Sequence, residues 1–271
     1  MKLTRCYFFV ISQILFFETT KSVQNRIING TISLPAEHPY TAALIYYNEY
    51  HCAGSIISPN YILTAAHCFV DLNVDKTTYL SIQHFEISVG SEEWDKGKRY
   101  KIKRTVQHPQ YVNEFLYNDI VLANIETKLQ FNDHVKWIPL YPHFLKDNKI
   151  KVVGKVMGWG YTNDGYFLKA EESKHLRTVV LESIPLMECK KMAQYIRKSN
   201  ICMWGVQKGT CTGDSGGPLV VKINKVVYQI GLVSYGTDCN NTTPEIYTRI
   251  SSFYGWISKN VHLPHPLTGY N

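Results

Sequence analysis

The sequence predicts an all-β fold, either a barrel or a sandwich, that is closed by one helix near the C-terminus. Short runs of β-branched and aromatic residues recur along its 271 residues, and Gly, Pro, Asn or Asp separate them. The predicted helix, about residues 252–261, follows a serine that can cap it. Its apolar residues fall on one face: Phe253, Trp256, Ile257 and Val261. This length is enough for one large domain or two small ones.

The individual strands are predicted from alternating or continuous apolar runs that end at turn residues. They are Ala42–Tyr47, Ser55–Ile57, Phe85–Val89, Ile120–Ile125, Val152–Val153, Val179–Leu181, Leu219–Val221, Val226–Ile230 and Leu232–Tyr235. Met187–Ser199 is predicted as one short helix. Val70–His84, which lacks helical periodicity, is predicted as a long surface loop, and residues 126–150 as a connector.

The first 22 residues have the pattern of a secretory signal peptide. A basic start precedes a mostly apolar run from Cys6 to Phe17 and a polar tail that ends at Ser22. About a dozen apolar residues are too few for a membrane-spanning helix, which needs about 20. A buried N-terminal strand is the alternative. We therefore expect a secreted, extracellular protein with no membrane partner.

The net charge is mild. The formal charge of +7 falls to +4 if residues 1–26 are removed, because four basic residues and one acid leave with them, and we expect no nucleic-acid partner. A basic run over 96–104, interleaved with Tyr100 and Ile102, predicts a strand with a solvated charged face, and a polyanion site is the alternative. Three acids precede that run: Glu92, Glu93 and Asp95. They make only a weak candidate calcium site because of the adjacent lysines.

Cysteine usage agrees with secretion. Six of the seven cysteines lie outside the predicted signal: Cys52, Cys68, Cys189, Cys202, Cys211 and Cys239. An even number in a secreted chain predicts three disulfides, although six cysteines allow fifteen pairings. Zinc is the rival use, but the sequence has neither a C-x2-C motif nor paired histidines at ligand spacing. We expect no metal and no cofactor.

A processing site is predicted directly after the leader. Arg26 precedes two β-branched residues, so cleavage there would remove residues 23–26 as a short propeptide; an ordinary strand start is the alternative. The new amine of Ile27 would carry a charge on an apolar side chain, which can be buried only against a carboxylate. Asp214, which precedes a candidate nucleophile, is a natural partner.

Three further residues are candidates for nucleophilic catalysis. Ser215 lies in the sequence Gly-Asp-Ser-Gly-Gly-Pro, whose glycines can expose a hydroxyl and direct nearby amides at one point, although a plain glycine-rich turn is the alternative. His67 in Thr-Ala-Ala-His-Cys could equally be a structural histidine. Asp119, at the start of an apolar strand, could be a capping residue or the buried partner of a histidine.

These three motifs, in this order and together with the segments 26–30 and 158–160, resemble the trypsin/chymotrypsin family of serine endopeptidases. The resemblance covers residues 27–262. It implies two perpendicular six-stranded antiparallel β-barrels, about 27–134 and 135–250, with the active site in the cleft between them. It also implies that Ser215 is the nucleophile, that His67 is the general base oriented by Asp119, and that the amides of Gly213 and Ser215 form the oxyanion hole.

The same resemblance assigns the disulfides and the substrate cleft. It implies the pairs Cys52–Cys68, Cys189–Cys202 and Cys211–Cys239, and a substrate-binding edge made by Ser234, Tyr235 and Gly236. Gly209 replaces the acid that trypsins carry at the base of the specificity pocket, and Glu245 replaces a glycine of the pocket wall. We expect Glu245 to project its carboxylate into the pocket, and hence a broad or a chymotrypsin- or collagenase-like preference: Lys, Arg, Phe, Tyr or Leu before the cut.

A catalytically silent homologue that acts as a binding protein is the rival functional class. Silent members typically lack the serine or the histidine, and this chain keeps all three catalytic types. The partners expected of an active enzyme are polypeptide substrates, an activating trypsin-like protease and protein inhibitors, and we expect a monomer. Three asparagines fit the N-glycosylation pattern: Asn29, Asn240 and Asn241.

Overall fold

The computed structural model describes residues 30–71, 78–142, 151–161, 172–236, 239 and 242–264. A short strand, β1 (Thr31–Ile32), comes first, and the next six strands close into an antiparallel barrel in the order β2-β3-β4-β7-β6-β5. These strands are β2 (Thr41–Tyr46), β3 (Glu49–Ser58), β4 (Tyr61–Thr64), β5 (Phe85–Val89), β6 (Lys98–Gln107) and β7 (Val121–Ile125). In β6 the side chains of Tyr100 and Ile102 face the core while Lys101 and Lys103 are exposed, as the alternation predicts.

The second half of the chain forms another closed antiparallel barrel, in the order β8-β9-β10-β13-β12-β11, with β8 and β11 paired to close it. Its strands are β8 (Val153–Gly158), β9 (Arg177–Ile184), β10 (Asn200–Trp204), β11 (Pro218–Ile223), β12 (Val226–Tyr235) and β13 (Glu245–Arg249). Helix α1 (Leu186–Met192) lies between β9 and β10, and helix α2 (Ile250–Asn260) follows β13. The fold is therefore all-β, as the sequence predicts, and has the two six-stranded barrels that the resemblance implies.

Three details differ from the prediction. Strand β1, which is not among the predicted strands, pairs with β9 of the second barrel through Thr31 and Thr178. The predicted helix Met187–Ser199 ends at Met192, because Ala193 is extended and Tyr195 has a left-handed φ of 59°. Strands β4, β10 and β13 are short and were not predicted.

The two barrels are joined by an apolar cluster and by buried polar contacts. Trp159, which is 1% exposed, packs with Tyr50 of the first barrel and with Leu176 of the second. Ser55 Oγ donates a hydrogen bond of 2.7 Å to Gln229 Oε1, and both residues are fully buried. The contacts Tyr50–Trp159 and Ser55–Gln229 each join one residue from each barrel and so hold the two barrels against each other.

Helix α2 and the disulfides complete the described chain. Phe253 and Ile257 of α2 pack into the core of the first barrel, although the helix follows the last strand of the second. The disulfides are Cys52–Cys68, Cys189–Cys202 and Cys211–Cys239. Neither of the two α-helices described has the length and apolar character needed to cross a membrane.

Candidate active site

The Ser215 turn lies where the two barrels meet. Ala53 of β3 donates its amide hydrogen to Ser215 O at 2.9 Å, and Gly216 donates to Val233 O of β12 at 2.8 Å. The turn is therefore held by hydrogen bonds to a strand of each barrel. Ser215 itself is partly exposed, while Asp214 beside it is fully buried, so the hydroxyl reaches solvent and the carboxylate does not.

Asp119 and His67 form a tight pair. His67 Nδ1 lies 2.7 Å from Asp119 Oδ2, and the His67 amide donates to Asp119 Oδ1 at 3.0 Å. Ser234 Oγ donates a third hydrogen bond to Asp119 Oδ2, at 2.6 Å. Because Asp119 is fully buried, these donors are what allow an ionised carboxylate there, and they fix the plane of the imidazole.

The electrostatics of His67 suit a general base. Burial lowers the pKa of His67, but the charge of Asp119 and its hydrogen bond raise it by more, so the net shift is upward from 6.5. The pair therefore favours an imidazolium that forms by accepting a proton. Such a base is neutral, and so competent, only above its raised pKa.

The nucleophile turn lies against the residue that follows His67. Cys68 Sγ is 3.9 Å from Ser215 O, and Ser234, which binds Asp119, lines the same cleft as Ser215. Within the described residues, however, the side chains of Ser215 and His67 form no hydrogen bond with each other. Such bonds are often long in the unliganded enzyme and tighten when substrate binds.

Asp214 is a buried acid whose partners are both amides. Its carboxylate accepts hydrogen bonds from the amides of Gly160 and Cys211, each at 2.9 Å. Gly160 has to be a glycine, because a side chain there would come within 2.7 Å of the Asp214 carboxyl carbon. Burial raises the pKa of Asp214 to about 6, against the lowering effect of the two amides. Within the described part of the chain no lysine, arginine or histidine pairs with it.

A cleft of about 270 Å³ opens beside Ser215. It is lined by Thr210, Cys211, Thr212, Ser215, Val233, Ser234, Tyr235, Gly236 and Cys239. The three residues predicted for substrate binding, Ser234, Tyr235 and Gly236, are thus together at its wall. The Cys211–Cys239 disulfide joins two sides of the cleft. Gly209, predicted at the base of the cleft, is buried. It immediately precedes Thr210 in the sequence but is not one of the lining residues.

Glu245 differs from its prediction. Its carboxylate does not line the cleft; it is 4% exposed and accepts hydrogen bonds from the amide of Thr210 at 2.6 Å, from Thr210 Oγ1 at 2.7 Å and from the Tyr247 phenol. The physical reason is that a carboxylate gains more from three fixed donors than from an unpaired position in an apolar pocket. Burial raises the pKa of Glu245 to about 7, and the hydrogen bonds oppose this shift.

One group of residues has the proximity of metal ligands. Ligand atoms of Cys52, His67 and Cys68 lie within 4.8 Å of one another. The two sulfurs are bonded to each other, so neither is a thiolate, and His67 Nδ1 is engaged by Asp119. This donor set does not suit a metal ion.

Several predicted residues lie outside the described part of the chain: Arg26, Ile27, Asn29, Asn240 and Asn241. Residues that sequence reasoning missed lie around the turn instead. Thr210 holds Glu245, and Tyr50 Oη donates to Gly213 O at 2.6 Å. A tyrosine two residues before a cysteine gives no periodic or motif signal, so only its position in the fold reveals it.

Comparisons with known proteins agree with this architecture. The family model described as Trypsin matches residues 27–257. The chain is 28% identical to trypsin epsilon of Drosophila erecta over 243 residues, 88% of each chain. It is 29% identical to phenoloxidase-activating factor 1 of Holotrichia diomphalia over 268 residues, 88% of this chain and 70% of the relative. A third relative, CLIP domain-containing serine protease C9 of Anopheles gambiae, is 29% identical over 272 residues, 91% of this chain and 70% of its own length.

Proposed function

Because this chain belongs to the trypsin family, we propose that it cleaves polypeptides through an acyl-enzyme on Ser215, with His67 as general base and Asp119 as the residue that orients it. The chain is a serine endopeptidase. The observation that carries the residue assignment is the buried Asp119 carboxylate, 2.7 Å from His67 Nδ1, beside the cleft that contains Ser215.

In this mechanism His67 Nε2 takes the proton of Ser215 Oγ as the oxygen attacks the scissile carbonyl. The imidazolium then gives that proton to the leaving amine, and an acyl-enzyme remains until water hydrolyses it by the reverse proton path. The amides of Gly213 and Ser215 stabilise the oxyanion. Ser234, Tyr235 and Gly236 bind the substrate backbone at the cleft wall.

Labelling with a fluorophosphonate tests this function directly. We expect the chain cleaved after Arg26 to react with one equivalent of probe and the Ser215→Ala variant not to react, since the probe traps only an activated serine. Ser252→Ala, on the far helix α2, is the matched control and should react like the wild type. A cleaved wild-type chain that takes no label would support the silent binding-protein alternative instead.

The finer function includes synthesis as a secreted zymogen. The signal-like residues 1–22 and the basic Arg26 support secretion and activation by a trypsin-like protease, and the three disulfides fit an oxidising compartment. Two relatives have the names of a phenoloxidase-activating factor and a CLIP-domain protease, which supports a place in a sequence of proteolytic activations. Glycosylation at Asn29 and at Asn240 or Asn241 belongs to the same proposal.

The primary specificity follows from Glu245 beneath the cleft. Its carboxyl acts through Thr210, which holds it on one side and lines the cleft on the other. Since the described lining of the cleft contains no acid, it accepts apolar and aromatic side chains. An ionised Glu245 adds attraction for Lys and Arg through the intervening threonine. This gives broad specificity before the cut, with a basic component that depends on the charge of Glu245.

We expect the ratio of kcat/KM for Lys and Arg substrates to that for Phe and Tyr substrates to rise with pH through about 7, the pKa to which burial raises Glu245. Glu245 gains its negative charge over that range, while Lys and Arg substrates stay positively charged. Attraction by this partly screened charge should change the kcat/KM ratio by about tenfold. Taking the ratio cancels the titration of His67, which affects both substrate classes.

The Glu245→Gln variant should have a low ratio that does not change with pH. Glu182→Gln, at an exposed glutamate of the same barrel, is the matched control and should keep the rise. A ratio with the same pH dependence in the wild type and in Glu245→Gln would contradict this role for Glu245 while leaving the proteolytic mechanism intact.

A further inference from the structure

We propose that Tyr50 is a positioning residue for the oxyanion site, in which its phenol fixes the Gly213–Asp214 peptide beside the nucleophile. This inference rests on the proposed function and adds a residue from the first barrel to a site whose amides come from the second. It gives a role to a side chain that lies outside the three catalytic motifs.

The contact itself is short and shielded from water. Tyr50 is 4% exposed, and its Oη donates a hydrogen bond of 2.6 Å to Gly213 O. Its ring packs against Trp94 and Trp159, at centroid distances of 6.0 and 5.9 Å. Burial and the nearby charge of Asp214 hold the pKa of Tyr50 well above its usual value, so the phenol keeps the proton that it donates.

Gly213 needs an external constraint of this kind. Its φ of +96° is accessible to glycine at little cost, and the same freedom lets the peptide rotate away. A Cβ at this position would lie 2.9 Å from Gly160 Cα and 3.2 Å from Tyr50 Cε1. No side chain can therefore stiffen the turn from within, and the hydrogen bond to its carbonyl performs that function from outside.

Asp214, the next residue of the turn, is held through both its amide and its carboxylate. The Asp214 amide donates to Cys211 O at 3.0 Å, and the Asp214 carboxylate accepts from Gly160 and Cys211. The Gly213 carbonyl faces the first barrel, where Tyr50 binds it. The Gly213 amide belongs to the preceding peptide, whose Thr212 carbonyl accepts a hydrogen bond of 2.8 Å from the Tyr161 amide. With the peptides on both sides of Gly213 held, its amide keeps one direction, which preorganised stabilisation of an oxyanion requires.

A purely structural role for Tyr50 makes a different prediction. A buried hydrogen bond that only stabilises the fold would, when removed, lower the unfolding temperature and affect all ligands alike. A positioning role affects ligands that carry an oxyanion and leaves those that merely fill the cleft unchanged. The two roles can therefore be separated by two ligands that differ only in whether they form an oxyanion when bound.

The experiment uses the cleaved enzyme and one peptide in two forms, an aldehyde and the corresponding primary alcohol. The C-terminal residue of this peptide is the one after which the wild type cleaves fastest. The aldehyde forms a tetrahedral adduct with an oxyanion, and the alcohol does not. We expect Tyr50→Phe to weaken aldehyde binding and to lower kcat for amide substrates about tenfold, with KM and alcohol binding unchanged.

Tyr40→Phe is the matched control, because Tyr40 is a buried tyrosine of the same apolar cluster that hydrogen-bonds to His38 at 3.1 Å, away from the turn. It should leave the ratio of aldehyde to alcohol affinity unchanged. A rescue variant carries 4-aminophenylalanine at position 50, which keeps a donor and the ring volume. It should recover most of the aldehyde affinity, and it tests the proposal even if Tyr50→Phe folds poorly.

The outcomes separate this inference from the proposed function. Equal losses for aldehyde and alcohol, or no loss in Tyr50→Phe, would overturn the positioning role while the wild type still reacts with fluorophosphonate. A cleaved wild type that does not react would instead overturn the proposed function. Selective loss of the aldehyde in Tyr50→Phe, with recovery in the rescue variant, supports Tyr50 as a positioning residue.

Discussion

The Asp119→Asn variant is expected to fold and to lose about 10⁴-fold in kcat, as the corresponding substitution does elsewhere in this family. The buried Asp119 carboxylate accepts hydrogen bonds from the His67 ring, the His67 amide and Ser234. An asparagine amide is isosteric but must present N–H groups at one of these positions. The histidine then adopts the tautomer with its proton on Nε2, which cannot accept the proton of Ser215.

The pH dependence of the residual activity provides a second readout. Burial alone lowers the pKa of His67, and the charge and hydrogen bond of Asp119 reverse this. Without that carboxylate the pKa falls, so the acidic limb of kcat/KM should move to lower pH. The measurement is kcat/KM from about pH 4.5 to 8.5 in the wild type and the variant.

Asp133→Asn is the matched control, since the Asp133 side chain is 92% exposed and remote from the cleft. It should retain wild-type activity and the wild-type acidic limb. An Asp119→Asn enzyme within tenfold of the wild type, or one whose acidic limb moves upward, would contradict the role of Asp119.

Which parts of the fold can be predicted from the sequence depends on how far apart in the sequence the interacting residues lie. The strand Phe85–Val89 is predicted with the bounds that it has, because alternation of buried and exposed residues is local information. Strand β1 is not among the predicted strands, because two exposed residues contain no sign of the partner that lies about 145 positions away. Helix α1 ends at Met192 instead of Ser199, because Ala193 is extended and Tyr195 is left-handed, which propensity does not predict.

The site shows the same division. The motifs around His67, Asp119 and Ser215 are local patterns, and the structure brings Asp119 and His67 into direct contact. The position of Glu245 depends on Thr210, 35 residues away, whose two donors hold the carboxylate below the cleft. The hydrogen bond of Tyr50 spans 163 residues. The first contact depends on how the second barrel folds and the other on how the two barrels pack, and composition and spacing encode neither.

The second large effect is expected from Asp214→Asn. We expect the cleaved variant to have several hundredfold less activity than the cleaved wild type, because the Ile27 ammonium would lose the carboxylate that permits its burial. Removing one partner of a buried ion pair costs about 3–5 kcal/mol. The fully buried carboxylate, held by two amides and by no lysine, arginine or histidine within the described residues, supports this pairing.

Three samples test the activation: the uncleaved chain, the cleaved wild type and cleaved Asp214→Asn, with cleavage after Arg26 verified by N-terminal sequencing. Arg26→Gln, which trypsin should not cut at this position, controls for cleavage elsewhere. The uncleaved chain and Arg26→Gln should be nearly inactive. Equal turnover before and after cleavage, or full activity in cleaved Asp214→Asn, would contradict the mechanism.

The pH dependence of the free energy of unfolding tests the Asp214 carboxylate without a measurement of enzymatic activity. Burial raises the pKa of Asp214 to about 6 from an ordinary 3.8, so between these values the folded uncleaved chain binds more protons than the unfolded chain. Its free energy of unfolding should therefore fall by about 2 kcal/mol as the pH rises from about 4 to 6, compared with uncleaved Asp214→Asn, which lacks this group. Urea unfolding at both pH values measures the difference.

The cleaved chain should behave differently. There an ammonium partner would favour the ionised carboxylate, so the loss of unfolding free energy with rising pH should shrink or reverse. The same loss before and after cleavage would mean that Ile27 does not reach Asp214.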